Sequence, residues 1–196
     1  MLRRASLSLL ACVGLVGIVA CKSENTPPAE APQTTAGTAD RQFTSGDTFG
    51  VLRAIHRGEV DQGMLAQRKA TDPRVRDYAE RVVNDHKTRM QKDEQLMSGL
   101  GISARDNDIS QQIKGSADRQ NAQLEQMTGL DFDRTYLDDQ IGYFRMVLDT
   151  FDRDLLPNAR DPQVRATLQN ARERANDHLR EAQDLRNALS MPGSTR

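Results

Sequence analysis

From about residue 46 onward, apolar residues recur at steps of three and four, the spacing of one helix face. The first predicted helix runs from Asp47 to Ala70, with Leu52, Ile55, Glu59, Gly63 and Ala66 roughly along one side. Two matching starts follow, "TDPRVR" at 71–76 and "RDPQVR" at 160–165. In each, an Asp at the N-cap can accept from free backbone N–H groups, and a Pro at the first helical position has no N–H to leave unsatisfied. The second helix then carries Val75, Tyr78, Ala79, Val82, His86, Met90 and Met97 and ends near Gly99 or Gly101. A more polar third helix covers about 108–128, with Ile109, Ile113, Leu124 and Met127 as its apolar positions. Gly129 stops it and Asp131 caps the fourth, in which Leu137, Ile141, Phe144, Leu148, Phe151 and Leu155 form the seam and Pro157 the end. The fifth has the cleanest seam, Val164, Leu168, Ala171, Ala175, His178, Ala182, Leu185 and Leu189.

Strand alternation and hairpin pairs such as Asn-Gly are absent from the sequence, so no sheet is expected. The pattern predicts an all-α domain over residues 47–190. Two antiparallel hairpins, 47–99 and 131–189, are joined by a long connection carrying an extra helix, the ferritin-like arrangement of a four-helix bundle.

The first 20 residues change the picture. Arg3 and Arg4 precede an apolar stretch, Leu7 to Ala20, that is short for a membrane span. Ile18-Val19-Ala20-Cys21 looks like a bacterial lipobox, so residues 1–20 are expected to be a lipoprotein signal peptide and Cys21 a lipidated N-terminus. An uncleaved anchor helix is the alternative. Residues 21–46, rich in Pro, Thr, Ala and Ser, then predict a flexible tether, and 191–196 a disordered tail. As a random coil the tether spans roughly 25–30 Å. Lys22 stands where the inner-membrane retention signal of many Gram-negative bacteria has Asp, which points to the outer membrane. The expected address is the periplasmic face of the cell envelope, with the membrane as a partner through the lipid. Cys12 leaves with the leader, so no thiol remains for a disulfide or a metal.

Removing Arg3 and Arg4 takes the formal net charge from −1 to −3. A near-neutral surface of mixed sign gives no electrostatic case for nucleic acid. Aromatics are 4% of the chain with no Trp, which leaves little material for sugar-stacking platforms. The sequence carries no glycine-rich phosphate loop and no nucleophile elbow, and a non-enzymatic protein is the reading that follows.

The candidate chemistry lies in a repeated word. "NDHKTRMQ" at 84–91 returns as "NDHLREAQ" at 176–183, so two of only three histidines share one local sequence. His86 and His178 lie close to whole turns beyond Val75 and Val164, which puts both on the apolar seam. Mirrored about a turn near residue 71, His86 faces His56; mirrored about 158–159, His178 is level with Asp139 and Gln140. His56 precedes Glu59 by three, and His178 precedes Glu181 by three, so each pair can share a helix face. Two readings stay open. In one, the histidines are neutral core residues of a structural, binding or stress-related envelope protein. In the other, Glu59, His86, His178 and His56 hold iron, copper or zinc inside a bundle. Di-iron bundles use Glu-x-x-His, whereas Val83 and Ala175 stand three before His86 and His178.

The segments "GEVDQGMLAQRKATDPRVRDYAERVVNDH" (58–86), "FDRTYL" (132–137) and "HLREAQDL" (178–185) resemble the exported bacterial proteins grouped as domain of unknown function 4142. The resemblance covers about 47–189. It implies a ferritin-like bundle in a periplasmic or outer-membrane protein and carries no activity with it. By the same resemblance, Glu59, His86 and His178 hold the family's recurrent polar positions. Phe144, beside Tyr143, stands where members often carry a further histidine.

Overall fold

The computed structural model of the protein describes residues 43–190; the expected leader, Cys21, all but the end of the tether and the tail lie outside the described residues. Among the described residues there are five α-helices, α1 Ser45–Lys69, α2 Pro73–Leu100, α3 Asp108–Glu125, α4 Gly129–Thr150 and α5 Pro162–Ala188. Among the described residues there is no strand. A π-helical turn, Phe151–Leu155, continues α4.

Most helix starts follow from local chemistry. Thr44 caps α1 through a capping box with Asp47, so the helix opens at Ser45, two residues before the expected start. Asp72 and Asp161 cap α2 and α5, each followed by a Pro. The repeated Asp-Pro word also explains its own arginines. Arg76 Nη1 donates to the Ala70 carbonyl and Arg165 Nη2 to the Ala159 carbonyl, both at 2.6 Å, so each arginine reaches back over its turn. Gly101, at φ +64°, ends α2 in the left-handed conformation that glycine adopts without strain.

Two expected boundaries differ. The third helix stops at Glu125, short of 128. Asp131 does not cap the fourth: Gly129, at φ +64°, lets the chain turn early and the helix opens there after Thr128. Asp131 falls in the first turn, where a negative side chain still matches the helix dipole.

Contacts between residues distant in sequence give the directions of the helices. Gly63 lies against Ala79 and Val83 while His56 meets Asp93, so α2 runs back along α1. Asp152 pairs with Arg172 and Asp138 with Arg186, so α5 runs back along α4. Asp85 meets His178 while Arg89 meets Asn170, which sets α2 and α5 antiparallel. Gln62 meets Gln140 and Thr71 meets Asp133, which does the same for α1 and α4. The long connection crosses α1 at Gly50, where a Cβ would fall 1.8 Å from the Arg105 carbonyl oxygen; only glycine admits that approach.

The apolar interior is split in two. One cluster gathers Phe49, Ile55, Phe144, Phe151, Leu168 and Ala175, and the other Leu65, Tyr78, Val82, Tyr136, Leu137 and Ala182. Each fully buried large side chain contributes about 1.5–3 kcal/mol, so these clusters carry the fold. Between them, every long helix contributes buried polar residues: His56, Glu59 and Gln62 from α1, His86 from α2, Gln140 from α4 and His178 from α5. A layer of that kind costs stability unless its groups are partnered.

Candidate metal centre

Within this layer three donor groups converge. Asp85 and His86 stand on α2 and His178 on α5, and one ligand atom from each lies within 4.8 Å of the others. His178 Nε2 is 3.0 Å from Asp85 Oδ2. The two imidazoles are stacked with centroids 5.7 Å apart, and Phe144 packs against His86 at 6.3 Å and His178 at 5.4 Å. A cavity of about 10 Å³ touches Asp85, His86, His178 and Phe144. It has room for one water-sized body and none for an organic substrate.

The electrostatics suit a cation-binding donor set in one respect and oppose it in another. Burial, reinforced by His56 and His178, holds His86 well below the usual histidine range, so its ring is neutral. Its Nε2 is buried with no hydrogen-bond partner. Burial pushes the Asp85 carboxyl up, but the His178 hydrogen bond and the Arg89 guanidinium outweigh it and keep Asp85 ionised. Arg89 Nε lies 3.1 Å from Asp85 Oδ2 and Arg174 Nε 3.8 Å from Oδ1. Asp85 therefore already shares its charge with two arginines.

The four residues expected at a metal site divide. His86 and His178 come together; His56 stands behind His86, with the two Nδ1 atoms 2.9 Å apart. Among the described residues, the group close enough to hold one ion contains neither His56 nor Glu59. Glu59 is 1% exposed, and burial, opposed only by a hydrogen bond with Gln140, pushes its carboxyl up to about 8. The expected level of His178 with Gln140 is met through Tyr78, whose hydroxyl lies 3.0 Å from Gln140 Oε1 and 3.3 Å from the His178 carbonyl oxygen. Asp139, half-buried, is not in the group, and Glu181 pairs instead with Arg81.

Two carboxylates escaped the sequence reading. Asp85 lies directly before His86 in the repeated word, and the antiparallel pairing of α2 with α5 is what brings it to His178. Asp93, two turns beyond His86 on α2, reaches His56 Nε2 at 3.2 Å and is itself 6% exposed. The spacing from His86 to Asp93 was the available signal.

Fold and centre together define an all-α protein with a donor set of two buried imidazoles and a partly exposed carboxylate. The chain belongs to the family described as domain of unknown function DUF4142, whose model matches residues 25–185. No curated protein and no solved structure matches it. Among the described residues no helix is long and apolar enough to cross a membrane.

Proposed function

We propose that the protein is a metal-binding, non-enzymatic component of the cell envelope, holding one zinc, copper or iron ion between Asp85, His86 and His178. The observation that carries this reading is the buried, partnerless Nε2 of His86 beside a second imidazole and a carboxylate. Leaving such a nitrogen unpaired costs about 1–3 kcal/mol, which a bound ion would recover. Two imidazoles and one carboxylate oxygen are donors suited to zinc, copper or iron and poorly suited to magnesium or calcium. A cavity that admits a single small body fits storage or buffering of an ion better than turnover of a substrate. The directions of the four long helices, with a long connection between the second and the third of them, support a ferritin-like arrangement. Export, lipidation at Cys21 and residence at the periplasmic face, on the outer membrane, complete the proposal and rest on the N-terminal sequence.

One observation favours a second reading. Asp85 is already bonded by His178 and Arg89, so the trio can serve as a satisfied core network in a purely structural protein.

Metal titration separates the two. At about 100 times its dissociation constant, a site-bound ion raises stability by about 2.7 kcal/mol. The gain should vanish in His86→Gln and His178→Gln, and in the wild type when acid protonates the ligands. Equal unfolding curves with and without Zn²⁺, Cu²⁺ or Fe²⁺ would leave the structural reading.

A further inference from the structure

Behind His86 runs a second line of contacts that none of the three ligands accounts for. Asp93 Oδ2 is 3.2 Å from His56 Nε2, and His56 Nδ1 is 2.9 Å from His86 Nδ1. His56 is 3% exposed and His86 4%, so water does not compete for these bonds. Asp93 lies on the wall of a narrow cleft of about 40 Å³ between α1 and α2, beside Met90 and Met97.

The roles of these atoms follow from what each can do. The neutral His86 ring carries one proton, which on Nε2 would find no acceptor and on Nδ1 reaches His56 Nδ1. His56 Nδ1 therefore accepts, and the His56 Nε2 side faces the Asp93 carboxyl oxygen. His86 Nε2 is left as a bare lone pair. That is the same Nε2 that is buried without a partner in the layer of the donor set.

We infer that Asp93 and His56 are positioning residues that hold His86 in the Nδ1–H tautomer and so present its Nε2 lone pair to a metal ion. The inference rests on the metal centre proposed above and adds two residues to it. Groups that orient a ligating imidazole through its far nitrogen recur at metal sites, and losing them typically weakens binding about 10–100-fold. The relay has particular value at this centre. Arg89 and Arg174 draw on the only carboxylate among the ligands, so a second carboxylate, acting through His56, strengthens the donor that remains. His56 thereby keeps a role in the centre without touching the ion.

The test uses the exported domain as it folds, with histidine labelled by ¹⁵N and Zn²⁺ as the only added metal. In the metal-free wild type, nitrogen–proton correlation spectra should place the His86 proton on Nδ1. Asp93→Leu removes the acceptor while keeping the branched shape of the side chain and should shift part of the His86 population to Nε2–H. Asp93→Asn keeps an oxygen for His56 Nε2–H and should stay close to wild type, which guards against a folding defect in the Leu variant. His56→Phe, which leaves His86 Nδ1 with no acceptor, should behave as Asp93→Leu does. Zinc affinity should fall at least tenfold in Asp93→Leu and His56→Phe and little in Asp93→Asn. Zinc binding by the wild type with unchanged affinity and tautomer in both disruptive variants overturns the relay and leaves the centre standing. No zinc binding by the wild type overturns both.

Discussion

Phe144 lies nearly flat against His178, ring centroids 5.4 Å apart, and lines the small cavity beside the centre. The Phe ring also meets His86 at 6.3 Å, so a nitrogen placed on this side chain would face both imidazoles. Phe144→His should therefore add a fourth ligand and tighten Zn²⁺ binding by tenfold or more. Tetrahedral zinc with four protein ligands is the closed, structural type. Without metal the variant should be less stable by about 1–3 kcal/mol, because a polar ring replaces one that is fully buried. Calorimetric titration of both proteins checks the claim. Equal affinities would mean that the cavity does not accept an ion beside residue 144.

Much of this geometry follows from periodicity alone. Seam spacing placed His56 against His86 across the first hairpin, and the contact is there at 2.9 Å. Asp85 shows where that reasoning ends. The word Asn-Asp-His occurs twice, yet Asp85 meets His178 while Asp177 pairs with Arg174 and Arg180 at the surface. Local sequence is the same; the neighbouring helix differs. The facing of α2 and α5 depends on how the long connection sets one hairpin against the other, and no helical period encodes that. Gln62 and Gln140 were invisible as a pair for the same reason, although their side chains bond at 2.6 Å. Asp131 misled because an acid after a glycine reads as a cap, while the left-handed Gly129 had already started the helix.

Glu59 gives the domain a pH dependence of unusual sign for a carboxyl. Its value in the folded protein is pushed up to about 8 by burial, above the ordinary 4.5. Between these values the folded chain keeps a proton that the unfolded chain releases, so stability falls as pH rises, by up to about 1.4 kcal/mol per unit. The penalty is complete above pH 8 and absent below about 4.5. Glu59→Gln, which cannot ionise, should be more stable than wild type at pH 9 by a few kcal/mol and similar to it at pH 5. Urea unfolding across that range measures the difference. Parallel stability curves for the two proteins would show that Glu59 is not held neutral by the fold.

Asp133 ties α4 to the turn between α1 and α2. Its carboxylate, wholly buried, accepts from Thr71 N at 2.9 Å, Thr71 Oγ1 at 2.6 Å and Asp72 N at 2.8 Å. Asp133→Ala strands three donors, at about 1–3 kcal/mol for each one left dry. Water entering the gap will satisfy some, so a net loss of about 3–5 kcal/mol is expected, or a fall in Tm of about 10 °C for a domain of this size. Asn should be nearly as costly, since its amide would face one of the donors. Metal affinity should not change, because Asp133 stands at the end of the molecule away from His86. A Tm within 2 °C of wild type, against the expected fall of about 10 °C, would rule the tie out.

Arg89 separates the two readings of the centre. Its Nε lies 3.1 Å from Asp85 Oδ2, and it helps hold the Asp85 carboxyl well below the usual range. A group depressed in this way stabilises the fold above its unfolded pKa of about 3.9, and that contribution is lost as pH falls through the lower, folded value. Arg89→Met removes the cation while keeping most of the apolar stem. If the trio is only a structural network, the variant loses stability near neutral pH and gains nothing. If the trio binds metal, the same change frees Asp85 from a competing charge. Two unit charges about 5 Å apart at an effective dielectric near 20 repel by about 3 kcal/mol, and screening at this partly exposed position leaves about a third of that. Zinc affinity should then rise by roughly fivefold to tenfold, even as the metal-free protein becomes less stable. Loss of apo stability combined with tighter zinc binding is an outcome that a structural network does not produce.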